Sequence, residues 1–291
     1  MSEAFTCVVF DTETTDKINY VIDETGKKTA IMPRVIQLGY IYYDSSDPSK
    51  TKIFDQLIDI DDSIEITEGA AKVHGISKEK IKNASPRKKM TIEKALTHFL
   101  QDIKRATYVV AHNVEFDKNV LYHELKQLAV GDLKTEGLAL FDKYNKTNHW
   151  TCTMKDNVQV CKLQSEGQKM LDEDLISKGK LPKNYYKFPQ LKETYKHYFG
   201  YKPREEALHD AIMDVILCLR VFVMYMGKKD MCNEDAKLKT YIQKLTPTDY
   251  EFDKNCPLQS SPSKTKSPKS PKSSKSVKKG GKKKKNTKRK H

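Results

Sequence analysis

The 291-residue chain has few of the features that would place it in a disulfide, zinc or membrane class. Its six cysteines (7, 152, 161, 218, 232 and 256) form no Cys-x-x-Cys pair and no paired histidine spacing. That argues against a disulfide framework or a zinc module and fits a reducing compartment. The longest apolar stretch, residues 215–226, is interrupted by Arg220 and falls well short of the ~20 residues a membrane span needs. The opening MSEAFTCVVFD lacks the basic region of a secretory signal, so an intracellular, non-secreted protein is expected. No internal repeat is evident. Acidic residues are absent from Lys254 to His291, which holds 14 Lys and one Arg. The tail thus carries +15 of a chain whose formal net charge is +14. Residues 1–253 hold 38 basic and 39 acidic groups, a net charge of −1, so bulk charge does not make the body a basic nucleic-acid-coating domain.

What is present reads as a near-neutral globular unit, residues 1–253, followed by a tail, residues 254–291. The tail's Ser/Pro/Lys composition buries too little surface to offset its ordering entropy, and disorder is expected there. Phe5–Thr12 is a buried strand by composition, Thr14–Pro33 a polar loop, and Val35–Tyr43 and Thr51–Asp59 two more strands joined by a turn. Two short helices split at Gly75, then a helix over Thr91–Arg105, a strand at Tyr108–Ala111 and a helix over Val114–Leu128 follow. Residues 131–149 and 165–187 are polar and lysine-bearing and read as loops or insertions on the core. Helices are expected at Pro189–Tyr198, Ala211–Met226 and Ala236–Leu245. This order predicts an α/β fold, a mixed sheet flanked by helices.

Within that frame several carboxylates look misplaced. Asp11 and Glu13 end an apolar strand two residues apart, so both point to one face, about 6–7 Å apart. A strand running into a polar turn would look the same. Asp117 stands in the first turn of a helix, where acids favour the macrodipole. It lies on the core-facing stripe with Leu121 and Leu125, however, and Glu115 is the better solvent-facing partner. Asp214 sits in AIMDVILCL, a helix apolar nearly all round, where an unpaired ionised carboxylate would be costly. It must be protonated, paired or metal-bound. Arg220, six positions on, is not a helical neighbour. His209 precedes this helix and Asp210 suits its N-cap. Converging oxygen ligands of this kind suit Mg²⁺ or Mn²⁺, and a histidine beside them could accept a proton from water.

Three ordered segments carry a family resemblance. Phe10-Asp11-Thr12-Glu13-Thr14-Thr15 resembles the first exonuclease motif of the DEDDh superfamily, Ala111–Asp117 the second, and His209–Asp214 the third. Val73-His74-Gly75-Ile76-Ser77 is similar to the family's His-Gly-Ile segment. The stretch from Phe188 to Gly200 is similar to that of proofreading-type members, viral ones included. The resemblance spans about residues 4–226, to ribonuclease T and polymerase proofreading subunits. It implies a ribonuclease H-like fold with a five-stranded mixed sheet. It further implies a 3′→5′ exonuclease in which Asp11, Glu13, Asp117 and Asp214 bind two Mg²⁺ or Mn²⁺ and His209 is the general base. By the same resemblance Thr14, His74, Asn113 and Phe116 contact the substrate's 3′ end. Asp16, where many members have glycine, is a departure.

The expected partner is nucleic acid, through single-stranded 3′ ends, with any polymerase or repair complex acting in trans. The tail fits either a phosphate-backbone tether or a nuclear-import signal, and implies the nucleus or, for a viral member, the viral factory or virion. A competing reading is a catalytically silent nucleic-acid-binding or packaging protein on the same fold, although such a role does not require the intact acid set. A phosphodiesterase acting on another substrate, or a metal-binding structural domain, leaves the tail without a role. Aromatics within and beside the two insertions (Tyr144, Trp150, Tyr185, Tyr186) fit base stacking between lysines or packing on the core.

Overall fold

A computed structural model describes residues 4–164, 175, 177–179, 186–227, 230–233, 235–248 and 250. The expectations for the tail, and most of those for 165–187, lie outside these residues. Five strands build the central sheet: β1 (Thr6–Thr14), β4 (Val35–Asp44), β5 (Lys52–Ile58), β7 (Tyr108–Ala111) and β8 (Trp150–Cys152). A two-residue strand, β6 (Lys89–Met90), extends the expected five to six, in the order β6-β5-β4-β1-β7-β8. The β4 pairings with β1 and β5 are antiparallel, and the other three are parallel, so the sheet is mixed. β4, the apolar run Val35–Tyr43, is buried throughout, as a central strand covered on both faces should be.

Two corrections concern segments expected to be loops. Within 14–33, β2 (Asn19–Ile22) and β3 (Lys28–Ile31) pair as a separate antiparallel hairpin. Every residue from Tyr20 to Ile31 is exposed, so no buried face imposed the period-two pattern that would have marked the strands. Residues 131–149 are mostly helix α5 (Asp132–Thr147), whose buried stripe is Gly137, Phe141 and Tyr144. The stripe begins on a glycine because a side chain there would sit 2.7 Å from Leu125 Cδ2, and that glycine hides the helical period. Tyr144 is buried and donates its hydroxyl to the Ile103 carbonyl, while Trp150 packs on Phe141. These two aromatics belong to the core and are no stacking platform for bases.

The remaining described helices are α1 (Glu68–His74), α2 (Lys78–Asn83), α3 (Ile92–Ile103), α4 (Val114–Gln127), α6 (Thr153–Asp156), α7 (Val158–Cys161), α8 (Leu191–Phe199), α9 (Ala211–Tyr225) and α10 (Ala236–Leu245). α3 and α4 cover one sheet face, with Leu96, Phe99, Leu121 and Leu125 packed on Val8, Phe10, Leu38 and Tyr40. α9 crosses the other face. It can approach because β4 has Gly39 beneath its first turn, where a Cβ would lie 2.9 Å from the Ala211 carbonyl carbon and from the Ile212 nitrogen. Among the described residues no helix is long and apolar enough to cross a membrane.

Candidate metal centre

The alternation of β1 directs Asp11 and Glu13, both half-buried, to the α9 face near the end of the strand. α9 begins at its N-cap, Asp210, whose carboxylate accepts the Ile212 N–H at 3.2 Å. One turn on, Asp214 meets the β1 pair: ligand oxygens of Asp11, Glu13 and Asp214 lie within 4.8 Å of one another. Asp117 approaches from the first turn of α4 and is 3% exposed. Its Oδ1 accepts two hydrogen bonds from Thr12, from the backbone N–H at 3.0 Å and from the hydroxyl at 2.7 Å. Thr12 thereby ties the second motif to the first. Nothing in the strand sequence distinguished this threonine from an ordinary β-former.

The electrostatics follow from three half-buried acids, Asp11, Glu13 and Asp214, with the buried Asp117 coupled to them, and from the lack of an ion-paired cationic side chain at any of the four among the described residues. Burial, and then repulsion from Asp117, Asp214 and Glu13, holds the Asp11 carboxyl well above the usual range. Burial with repulsion from Asp214 and Asp117 raises Glu13 to about 8. Burial raises Asp117 to about 7 against the opposing Thr12 hydrogen bonds, and raises Asp214 to about 7. Such a cluster is electrostatically incomplete. A divalent cation would displace the protons and supply the missing positive charge. The donor set is oxygen-only, which suits Mg²⁺ or Mn²⁺ and is a poor match for softer ions.

His209 is exposed and stands five residues before Asp214 in a left-handed conformation, φ 62°. A non-glycine residue there is held against its preference, a circumstance that recurs at functional sites. Its backbone lies against the Asp214 carboxylate. Asn113 is likewise left-handed, φ 69°, as the N-cap of α4, and both it and the half-buried Phe116 stand within four residues of Asp117. Thr14 is buried, its hydroxyl donating to the Asp16 carbonyl at 2.6 Å. Asp16 itself accepts from the Lys17 N–H and the Asn19 amide, so its carboxylate starts the β2–β3 hairpin. His74 is buried; its Nδ1 accepts the Ile76 N–H at 3.0 Å, which leaves the proton on Nε2. Nε2 is buried, and the Thr14 backbone lies beside the ring without a well-formed hydrogen bond to it. Glu115, as expected, is exposed and faces Lys118 and Lys155. Arg220 does not reach Asp214; it is buried and paired with Asp230 at 2.6 Å, a partner ten residues away.

Comparison with known proteins gives one family and several distant folds. No curated protein matches the sequence. Among solved structures, E. coli exonuclease I bound to single-stranded DNA, in a zinc-containing form, is 16% identical with a TM-score of 0.48, covering 82% of this chain and 43% of that one. A 3′-exonuclease that recognises the histone mRNA stem-loop is 10% identical with a TM-score of 0.43, covering 78% and 84%. Cell-death related nuclease 4 is 15% identical with a TM-score of 0.39, covering 76% and 64%. This chain thus spans less than half of exonuclease I and just under two thirds of the cell-death nuclease. The RNase T exonuclease family matches residues 8–222, which contain all three acidic segments, and the chain belongs to that family.

Proposed function

We propose that the protein is a metal-dependent 3′→5′ exonuclease that hydrolyses the terminal phosphodiester of DNA or RNA. The observation that carries this reading is the convergence of Asp11, Glu13 and Asp214, with Asp117 tied to the same strand, in a centre that lacks its own countercharge. Asp11, Glu13 and Asp214 would hold one divalent ion, and Asp11 with Asp117 a second. Such ions would, when bound, make a water more acidic and offset the phosphate charge. The chain's own groups do the rest. His209, exposed and with its backbone against the Asp214 carboxylate, takes the proton from the attacking water at a ring nitrogen. Thr14, Asn113, Phe116 and His74 border the place where the terminal nucleotide sits, and they orient it. Thr12 fixes Asp117 so that no rearrangement is needed on binding.

The tail supplies affinity. Its 14 Lys and one Arg would contact phosphates, with a log–log salt dependence near −0.9 per contact on duplex DNA. The test uses 5′-labelled single-stranded DNA and RNA with Mg²⁺, Mn²⁺ or EDTA. A ladder shortening from the 3′ end, lost with EDTA and in Asp11→Ala and His209→Ala, is expected. Tight binding with no ladder on either polymer with either metal would replace this reading with a silent binding protein. A chain ending at Asp253 should cleave short oligomers normally while losing affinity and salt dependence.

A further inference from the structure

The backbone that carries His209 has few contacts of its own. His209 is exposed and left-handed, φ 62°, and a non-glycine residue stays in that region only where neighbouring structure over-determines it. Downstream the anchor is the start of α9, with Asp210 as N-cap. Upstream, Glu205–Ala207 form a single 3₁₀ turn, closed by the Leu208 N–H on the Glu205 carbonyl at 3.2 Å. Glu205 and Glu206 are exposed, and the Lys192–Glu205 pair at 2.9 Å lies at the surface, where ion pairs contribute little. The first buried fastening before His209 is therefore the stretch 201–204.

That stretch is tied to α10, which lies downstream of all three acidic segments and adds no carboxylate to the metal cluster. α10 packs against α9, with Leu238, Ile242 and Leu245 buried. The Leu245 carbonyl, in the last turn and without a partner inside the helix, accepts the Arg204 N–H at 2.9 Å. A second tie runs through the buried Tyr201 side chain. Thr246 gives its one hydroxyl proton to the Ile242 carbonyl at 2.7 Å, so it accepts from the Tyr201 hydroxyl at 3.2 Å. The Tyr201 oxygen accepts in turn from the Tyr195 hydroxyl at 3.0 Å and from Arg220 Nη1 at 2.9 Å. Arg220, on α9, also donates to Tyr195 and pairs with Asp230. Pro203, between the two ties, is buried. Every hydroxyl in this run has a partner for its proton, and a satisfied buried network of that kind holds one conformation.

We propose that α10 is a brace for the general base. Through Leu245 and Thr246 it fixes Arg204 and Tyr201, and these set the backbone from which His209 reaches the attacking water. Tyr201, Arg204 and Thr246 are positioning residues that act only through His209. The proposal rests on the exonuclease reading for the role of His209 and goes beyond it by giving α10 a part in the chemistry.

The test compares the full chain with Tyr201→Phe and Thr246→Val, each of which deletes one hydroxyl from the run. Tyr144→Phe is the control, since it deletes a buried 2.9 Å hydroxyl bond to the Ile103 carbonyl instead. Cleavage of a 5′-labelled oligothymidylate in Mg²⁺ gives kcat and KM, and a thermal melt monitors the fold. Both brace variants should lose about three- to tenfold in kcat, less than the ~10²-fold that a 1 Å misplacement can cost, with KM within about twofold of the parent. Tyr144→Phe should melt lower and keep the parent kcat. A double-mutant cycle is decisive: once His209→Ala has removed the base, neither Tyr201→Phe nor Thr246→Val should lower kcat further. An unchanged kcat in both brace variants, or the same fold-loss with and without His209, would overturn the brace. Amide hydrogen exchange in EDTA tests it without chemistry. The amides of residues 205–210 should exchange about five- to tenfold faster in both brace variants and at the parent rate in Tyr144→Phe. If the parent chain shows no metal-dependent cleavage, that difference leaves the brace standing and sinks the nuclease reading; equal exchange in all four proteins overturns the brace.

Discussion

Gly39→Ala tests whether the metal centre depends on how closely α9 approaches the sheet. The added Cβ would lie 2.9 Å from the Ala211 carbonyl carbon, 2.9 Å from the Ile212 nitrogen and 3.0 Å from the Ala211 Cβ. Two of these neighbours are backbone atoms, so no rotamer relieves the contact. Ordinary contact begins near 3.4 Å, and the helix start must retreat by about 0.5 Å. The moving segment carries Asp210 and Asp214, and His209 precedes it directly. Overpacking of this kind costs about 1–3 kcal/mol of stability. The functional loss should be larger, since ~1 Å of misplacement in a catalytic constellation can cost ~10²-fold. Half that displacement, shared by Asp214 and His209 in the roles proposed for them, predicts a fall of about tenfold or more in kcat. The assay pairs a thermal melt with Mg²⁺ titration of cleavage, so that loss of fold and loss of geometry separate. A variant that melts lower yet keeps the parent kcat and Mg²⁺ dependence would refute the reasoning, because the approach of α9 would then be unimportant to the site.

Other perturbations follow from named contacts. Thr12→Val removes the 2.7 Å hydroxyl bond to Asp117 Oδ1 and keeps the backbone bond; about 10–100-fold in Mg²⁺ affinity or activity should be lost at a nearly unchanged melting temperature. Asp117 and Asp214, held at about 7 against 3.8 for the free side chain, bind protons more tightly in the folded state. Their stabilising contribution is complete below the unfolded value and is lost as pH rises through the folded one, so protein in EDTA should melt higher at about pH 5 than at about pH 8. Mg²⁺ should recover the loss at the higher pH, and a melt rising from pH 5 to 8 in EDTA would contradict the cluster's electrostatics. Arg220→Met removes the guanidinium from the mostly buried Asp230 carboxylate, from the Tyr201 hydroxyl and from the Phe199 ring; a loss of about 3–5 kcal/mol is expected by denaturant titration, with partial recovery in Arg220→Met/Asp230→Leu.

How far each feature could be read from sequence tracks whether its signal is local. Asp214 stood out because an ionisable group inside AIMDVILCL conflicts with eight apolar or small neighbours, a conflict visible within one helix. Asp11 and Glu13 followed from strand alternation, and the burial of Asp117 from its place on the α4 stripe, again over a few residues. Gly39 was also local, a glycine in the interior of an otherwise bulky strand, but its meaning lay in a helix 172 residues downstream whose backbone it admits. α5 was missed because the residue that starts its buried stripe is a glycine required by Leu125, and the β2–β3 hairpin because exposure on all sides leaves no pattern. Thr12 was invisible for a further reason. It is an unremarked polar residue in a strand, and it gains its role only when Asp117 arrives from another segment. The site therefore divides by cost. Groups that would be unfavourable without a function announce themselves in sequence, whereas groups that only position or shape them are equally at home in an ordinary strand and become visible once the register of β1, β4 and β5 is known.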